Sequence, residues 1–159
     1  MNRVIVLLRH AQAQSAHGRQ ADRERRLSEH GIAQMAQVGP ALAQHLAADT
    51  HVLASAATRT AETAHLLVDA LGIERRAVVL DARLYDASAG ALFAELQSLD
   101  DSITSLALVA HNPAISMLAQ VLIAQPVLGF STAGYAVCRY EGAWADLAPQ
   151  AATLIAGSD

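Results

Sequence analysis

A short apolar run near the N-terminus constrains the fold of this chain more than any other feature. Residues 4–8 (Val-Ile-Val-Leu-Leu) are consecutive apolar side chains, several of them β-branched. Such a run without polar alternation is typical of a central strand that is covered on both faces. Farther along the chain, segments with helical spacing alternate with further short apolar runs. This alternation predicts an α/β sandwich of three layers, α/β/α, with a mostly parallel central sheet.

The remaining segments predict the order of the elements within one domain of 159 residues. A polar stretch over residues 9–26 is typical of a long functional loop. Ser28 is expected to cap a helix that runs to about residue 48, which Gly39-Pro40 should kink or split. Asn112-Pro113 is expected to supply the N-cap and first-turn proline of a helix through residue 123. Other helices are predicted at 58–71, ending at Gly72, and at 88–99, and other strands at 51–55, 78–80, 105–110, 133–140 and 152–156.

Composition excludes several classes of partner. The formal net charge is −4, all 11 basic residues are arginine, and no basic run is long enough to neutralise a nucleic-acid backbone. The first apolar run is too short for a signal peptide, and no later run reaches the length of a membrane span. The single cysteine, Cys138, excludes an internal disulfide and lies in an apolar, strand-like run. We therefore expect a cytoplasmic protein with Cys138 in its core.

Polar side chains follow three of the predicted strands at the point where each strand ends. Arg9 and His10 follow the first strand, Ser55 ends the second, and His111 follows the fourth. Arg59 lies in the first turn of the helix after Ser55. Because ligands bind outside the carboxyl ends of parallel strands, these side chains are expected to meet at one edge. Helix N-termini add partial positive charge there, so the sequence predicts a cationic pocket for a phosphoryl group.

This set of residue types predicts a mechanism. A neutral imidazole, here His10, is a competent nucleophile, and a covalent phosphohistidine divides one displacement into two. Arg9 and Arg59 are expected to neutralise the phosphoryl oxygens, and a protonated His111 would donate a hydrogen bond to them. Ser55 is expected to form a hydrogen-bonding wall of the pocket. The other histidines lack the spacing of metal ligands, so we expect no metal and no cofactor.

Three motifs occur in a fixed order along the chain: the strand followed by Arg9-His10, a Ser-x-x-x-Arg-x-x-x-Thr segment over residues 55–63, and Val-Ala-His-Asn-Pro over residues 109–113. Together they resemble the motifs of the histidine phosphatase superfamily, the phosphoglycerate-mutase-like group. The short chain, the segment Glu-Arg-Arg-Leu-Ser before Gly31, and Arg-Leu-Tyr at 83–85 are most similar to the SixA-type phosphohistidine phosphatases. That resemblance implies the phosphoglycerate-mutase-like fold and implies that Arg25 joins the phosphate pocket.

The sequence departs from the family pattern at two points. Ala11 stands where the family usually has glycine, which predicts a narrower approach to the phosphoryl group. The glutamate acid of the larger mutase and acid-phosphatase relatives has no match, and Asp86 and Asp81 are the nearest carboxylates in the corresponding region. A missing acid disfavours alkyl phosphates, because an alkoxide leaving group needs a proton. It matters less for phosphohistidine, because a protonated imidazole leaves as a neutral molecule.

Three hypotheses for function follow. The first is a metal-independent phosphatase that acts on protein phosphohistidine, with His10 as nucleophile. The second is a phosphatase of small phosphate monoesters in which Asp86 or Asp81 is the proton donor. The third is a non-catalytic module that binds phosphorylated proteins. In each of them phosphate or sulfate is expected to fit the pocket.

Overall fold

The computed structural model describes residues 1–158, and its centre is one six-stranded sheet. The strands are β1 (Asn2–Arg9), β2 (His51–Ser55), β3 (Val79–Asp81), β4 (Ser105–Ala110), β5 (Tyr135–Glu141) and β6 (Thr153–Gly157), and the helices are α1 (Glu29–Ala43), α2 (Thr58–Leu71), α3 (Ala89–Gln97) and α4 (Ala114–Leu122). The strand order is β3-β2-β4-β1-β5-β6. Strands β1 to β4 are parallel, whereas β5 pairs antiparallel with β1 and β6 antiparallel with β5. The predicted, mostly parallel sheet is confirmed.

Strand β1 shows why the sheet is covered on both faces. Ile5 and Leu7 pack into a core cluster with residues of α3 and α4. Val6 and Leu8 point to the other face and pack into a second cluster with residues of α1 and α2. All four side chains are completely buried, and each such burial contributes about 2 kcal/mol. A continuous apolar run is therefore required at this central strand, and the predicted three-layer sandwich is confirmed.

Local chemistry explains where several helices begin and end. The Ser28 hydroxyl accepts a hydrogen bond from the backbone N–H of Gly31 at 3.0 Å, which caps α1. The Ser88 hydroxyl does the same for Ala91 at 3.1 Å, which caps α3. Gly72 follows α2 with φ of 70°, a left-handed conformation that ends the helix. These two helix starts and one helix end agree with the sequence-based predictions.

The sequence predicted that Gly39-Pro40 kinks or splits the first helix, and the split is wrong, because α1 continues through Pro40 to Ala43. Proline removes one backbone hydrogen bond, and packing against α2 compensates for the loss. A Cβ atom on Gly39 would lie 3.0 Å from the Cβ of Ala70, so the missing side chain lets the two helices approach closely.

The prediction that Asn112 caps α4 is also wrong. Pro113 occupies the N-cap position, and α4 begins at Ala114. The Asn112 amide donates to the backbone carbonyl of Phe130 at 2.9 Å, and its carbonyl accepts from the Ser116 hydroxyl at 2.6 Å. Asn112 therefore ties α4 to the loop that precedes β5.

Cys138 lies in β5 and is fully buried, and burial raises the pKa of its thiol to about 12. This confirms Cys138 as a core residue. Within residues 1–158, no helix combines the length and the apolar character needed to cross a membrane.

Candidate active site

Three parallel strands deliver the predicted site residues to one edge of the sheet. In the register of the sheet, Arg9 at the end of β1 lies opposite Ala110 at the end of β4. Ala54 of β2 lies opposite Val109 of the same strand, so β2 also ends at this level. His10, Ser55 and His111 therefore emerge side by side at the carboxyl ends of the strands.

His10 is held in one orientation and one charge state. Its side chain is 8 % exposed, and Nδ1 donates a hydrogen bond to the carbonyl oxygen of Ala11 at 2.7 Å. Since a carbonyl can only accept, this bond assigns the proton to Nδ1 and leaves the lone pair on Nε2. Burial, followed by the positive charges of Arg59, Arg9 and Arg25, lowers the pKa of His10 to about 4. His10 is therefore neutral at pH 7, with Nε2 available for attack.

His111 lies next to His10, with a distance of 5.4 Å between the ring centroids. Its Nε2 atom shares a hydrogen bond of 2.8 Å with the hydroxyl of Ser55, which is completely buried. Burial, and next the charge of Arg59, lower the pKa of His111 to about 4, so it is neutral without a bound anion. An incoming phosphoryl group would raise this pKa and favour the protonated donor form.

Two arginines present buried donors to the pocket. Arg59 is 6 % exposed, and Arg9 donates from Nη1 to the carbonyl of Phe130 at 2.9 Å. Among the residues that the structure describes, the buried Nε atoms of Arg9 and Arg59 have no hydrogen-bond partner. A buried charged donor without an acceptor is costly, so two of them beside the histidines indicate an anion-binding site.

A third arginine and an aspartate complete the network. Asp22 belongs to a short 3-10 turn, Asp22–Glu24, within the long loop after β1. Its carboxylate accepts from Arg25 Nε at 3.0 Å, from Arg59 Nη2 at 2.9 Å and from the hydroxyl of Tyr85. The Tyr85 ring stands edge-on to His111, with centroids 5.4 Å apart. The charge of Arg25 is close enough to lower the pKa of both histidines.

Sequence reasoning missed Asp22 and gave Tyr85 no role in the site. Asp22 lies in a polar loop without periodicity, and its only local signal is its position three residues before Arg25. Tyr85 is 63 residues away from Asp22 along the chain. Only the tertiary structure brings these two side chains together.

The two carboxylates considered as proton donors occupy different environments. Asp86 lines a cavity of about 370 Å³ together with His111 and Tyr85. Asp81 instead accepts hydrogen bonds from the backbone and side chain of Arg83, which lower the pKa of its carboxyl group. Asp81 is therefore held in its ionised form, and Asp86 is the carboxyl group that faces the cavity.

Ala11 does not line the pocket. Its side chain is fully buried in the core cluster on the α1 and α2 face of the sheet. Its backbone N–H donates to the Thr63 hydroxyl at 3.0 Å, and that hydroxyl donates to the carbonyl of Arg59 at 2.7 Å. The methyl group belongs to the core, which corrects the expectation that it narrows the approach to the phosphoryl group.

Within residues 1–158, no three histidine, cysteine, aspartate or glutamate side chains are grouped closely enough to hold a metal ion.

The strand order and the pocket at the carboxyl edge define an α/β protein of the phosphoglycerate-mutase-like class. A family model described as "Histidine phosphatase superfamily (branch 1)" matches residues 5–95, which is more than half of the chain. The chain therefore belongs to the histidine phosphatase superfamily.

Similar proteins support the same family. An uncharacterized protein of Mycobacterium tuberculosis (strain ATCC 25618 / H37Rv) is 36% identical, covering 93% of this chain and 96% of that protein. A candidate phosphohistidine phosphatase SixA from Nakamurella multipartitia superposes with a TM-score of 0.80 at 30% identity, covering 100% and 96% of the two chains. A mycobacterial glucosyl-3-phosphoglycerate phosphatase shares the fold, with a TM-score of 0.66 at 19% identity and 97% coverage of both chains. Family and neighbours support a phosphatase, a hydrolase, as the class of enzyme.

Proposed function

We propose that this chain is a metal-independent phosphatase that removes phosphoryl groups from protein phosphohistidine through a covalent intermediate on His10. The observation that carries the proposal is the buried, neutral imidazole of His10. Its Nε2 lone pair is free, and the partnerless Nε donors of Arg9 and Arg59 lie in the same pocket among the described residues. Nucleophile and anion-binding donors together are what phosphoryl transfer requires.

In the first step, Nε2 of His10 forms a bond to phosphorus while the phosphorus–nitrogen bond of the substrate breaks. The substrate ring is protonated on its other nitrogen, so the electron pair of the broken bond stays on the nitrogen that carried phosphorus and the imidazole leaves as a neutral molecule. In the second step, water attacks phosphorus, the His10–phosphorus bond breaks with its electron pair returning to Nε2, and inorganic phosphate leaves as the dihydrogen ion with both protons of the water. Neither step needs a metal or a redox cofactor.

The pocket side chains have distinct roles in this proposal. Arg9, Arg25 and Arg59 neutralise the phosphoryl oxygens as charge develops in the transition state. His111 takes up a proton as the anion enters and donates to the same oxygens. The hydrogen bond between Ser55 and His111 fixes the orientation of that ring. Inorganic phosphate, the product, and sulfate are expected to occupy the same position.

The surroundings of the pocket favour a protein substrate. A groove next to the cavity at His111 is lined only by apolar or small side chains: Ala89, Gly90, Phe93, Leu118, Val121 and Pro149. Ala89 lines both the groove and the cavity, so the two are adjacent. A sugar would leave its hydroxyl groups unpaired there, whereas apolar side chains of a polypeptide would be buried favourably. The resemblance to the SixA neighbour supports the same choice. The lone cysteine fits a reducing cytoplasm, where we place the protein.

Small phosphate monoesters are the second candidate substrates. The position of Asp86 on the cavity wall beside His111 favours this alternative, because an ester needs a proton donor for its alkoxide. The mycobacterial neighbour that shares the fold carries the name of a sugar-phosphate phosphatase. Asp81 is the weaker donor candidate, because Arg83 holds its carboxylate in the ionised form.

A turnover panel tests the proposal. Wild type is compared with His10→Ala, Asp86→Asn and the control His30→Ala, which removes an exposed histidine of α1. The substrates are a phosphohistidine protein, an aryl phosphate and a sugar phosphate, with acid-labile labelling of His10 measured in parallel. We expect His10→Ala to abolish turnover and labelling, with Asp86→Asn and the control unaffected on phosphohistidine. Full activity of His10→Ala would refute the nucleophile.

The same panel separates the other hypotheses. Preferred turnover of the sugar phosphate that collapses in Asp86→Asn would select the monoester phosphatase. Phosphate binding without turnover of any substrate would select the non-catalytic binding module.

A further inference from the structure

We propose that Asp22 is a positioning residue of the phosphoryl pocket and orders the side chains of Arg59, Arg25 and Tyr85. Its negative charge also acts as an internal counter-anion, which weakens the binding of phosphate and so promotes product release. The inference rests on the proposed function and assigns to Asp22 a part in it that the motifs of the sequence do not indicate. It starts from the observation that one exposed loop carboxylate contacts three side chains of the pocket.

The contact with Arg59 leaves one edge of the guanidinium free. Nη1 of Arg59 donates to the backbone carbonyl of Asp22 and Nη2 donates to its carboxylate, both at 2.9 Å. The Nε atom is buried and has no acceptor among the described residues. Asp22 thus accepts hydrogen bonds from both terminal nitrogens of Arg59, and the Nε–H stays available to a phosphoryl oxygen. A positioning residue acts in this way: it fixes the orientation of the guanidinium and leaves one of its N–H donors free for the substrate.

The other two contacts extend this order across the pocket. Arg25 donates from Nε to Asp22 and from Nη1 to the carbonyl of Gln14, so its guanidinium is held from two sides of the loop. The Tyr85 hydroxyl donates to Asp22, and the Tyr85 ring packs against His111. Through Tyr85, the carboxylate of Asp22 limits the movement of His111 as well. The guanidinium of Arg23 lies 4.8 Å from the centre of the Tyr85 ring and covers it.

The base of the loop is itself anchored, which gives Asp22 a defined position. Ala13 pairs with Leu27 in an antiparallel bridge, and the N–H of Ser28 donates to the carbonyl of Gln12 at 2.9 Å. Asp22 therefore belongs to a closed loop that is fixed to the start of α1. The loop therefore places the Asp22 carboxylate among the arginine side chains of the pocket.

The charge of Asp22 opposes the entry of a second anion. The hydrogen bond from Tyr85, and next those from Arg59, keep the pKa of Asp22 well below its ordinary value, so the carboxylate is ionised at neutral pH. It is therefore a fixed negative charge and not the missing proton donor. It offsets one of the positive charges of Arg9, Arg25 and Arg59, and a phosphate anion in the pocket is repelled by it.

The test measures binding of inorganic phosphate and kcat separately in Asp22→Asn and Asp22→Ala. The control is Asp49→Asn, an exposed carboxylate in the turn that precedes β2, which makes the same change in net charge. For Asp22→Asn we expect about tenfold tighter phosphate binding at low salt, shrinking at high salt, and a kcat about tenfold to a hundredfold lower. The control should change neither quantity.

A merely structural role would weaken phosphate binding and kcat together, and that outcome would overturn the inference. Unchanged phosphate binding in a folded Asp22→Asn protein would overturn it too. If Asp22→Ala fails to fold, the isosteric Asn variant still decides the matter, with thermal unfolding as the check. Phosphate binding is measured without turnover, so a failure of the proposed function, seen as inactivity of wild type, remains distinguishable from a failure of this inference.

Discussion

Acidification should destabilise the folded protein because His10 is buried as a neutral imidazole. Its pKa is lowered from 6.5 to about 4, chiefly by burial. Between these two values the unfolded chain binds a proton that the folded protein does not, so the free energy of unfolding falls as the pH falls. One pKa unit corresponds to about 1.4 kcal/mol, so the loss from His10 reaches about 3 kcal/mol near pH 4. It is absent above the ordinary pKa of histidine. The pKa of His111 is also lowered to about 4, so His111 adds a loss of the same sign.

Urea unfolding of wild type and His10→Gln at about pH 7, 6, 5 and 4.5 measures this loss. Glutamine does not titrate, so the free energy of unfolding of His10→Gln should depend less on pH. Between pH 7 and pH 4.5, wild type should lose about 2.5 kcal/mol more than the variant. Carboxylates such as Asp22 titrate in both proteins and cancel in the comparison. His30→Gln, at an exposed position of α1, should follow wild type. Parallel curves for wild type and His10→Gln would refute the argued burial of a neutral histidine.

Three further substitutions test other parts of the structure. Arg59→Lys should lower kcat/KM for an aryl phosphate about a hundredfold, because lysine lacks the forked donors, while Arg139→Lys on β5, an exposed position, should have no effect. Val121→Asp, on the apolar groove, should lower kcat/KM for a phosphohistidine protein at least about tenfold and leave the aryl phosphate unchanged; equal losses would argue against a docking role for the groove. Arg3 is 2 % exposed and donates to three backbone carbonyls, so Arg3→Met should cost about 3 kcal/mol in urea unfolding, and a loss under about 1 kcal/mol would contradict this.

Much of the fold was predictable because it depends on local chemistry. The apolar run of β1 must be buried on both faces, so residues 4–8 indicate a central strand before any partner strand is known. Ser28 and Ser88 cap their helices through bonds to residues three positions later, and Gly72 ends α2 through its own backbone conformation. Each of these signals acts within a few residues.

The two local predictions that failed were overridden by packing between distant segments. Pro40 lies within an unbroken α1 because the helix is held against α2 at Gly39 and Ala70. The Asn112 side chain binds Phe130 and Ser116 in place of the N-terminus of α4. A competing tertiary contact was available in both cases, and sequence spacing does not reveal it.

Part of the candidate site was likewise predictable from the sequence, and part depended on tertiary contacts. The sequence alone placed Arg9, His10, Ser55 and His111 at strand ends, and since parallel strands end at one edge, their convergence followed from topology. Only the tertiary structure decided which His10 nitrogen is free, because the acceptor of its Nδ1 hydrogen bond depends on the path of the backbone. It also decided that Asp22 joins the pocket, because a polar loop contains no periodic signal and the carboxylate is held by Arg59 and Tyr85 from other parts of the chain.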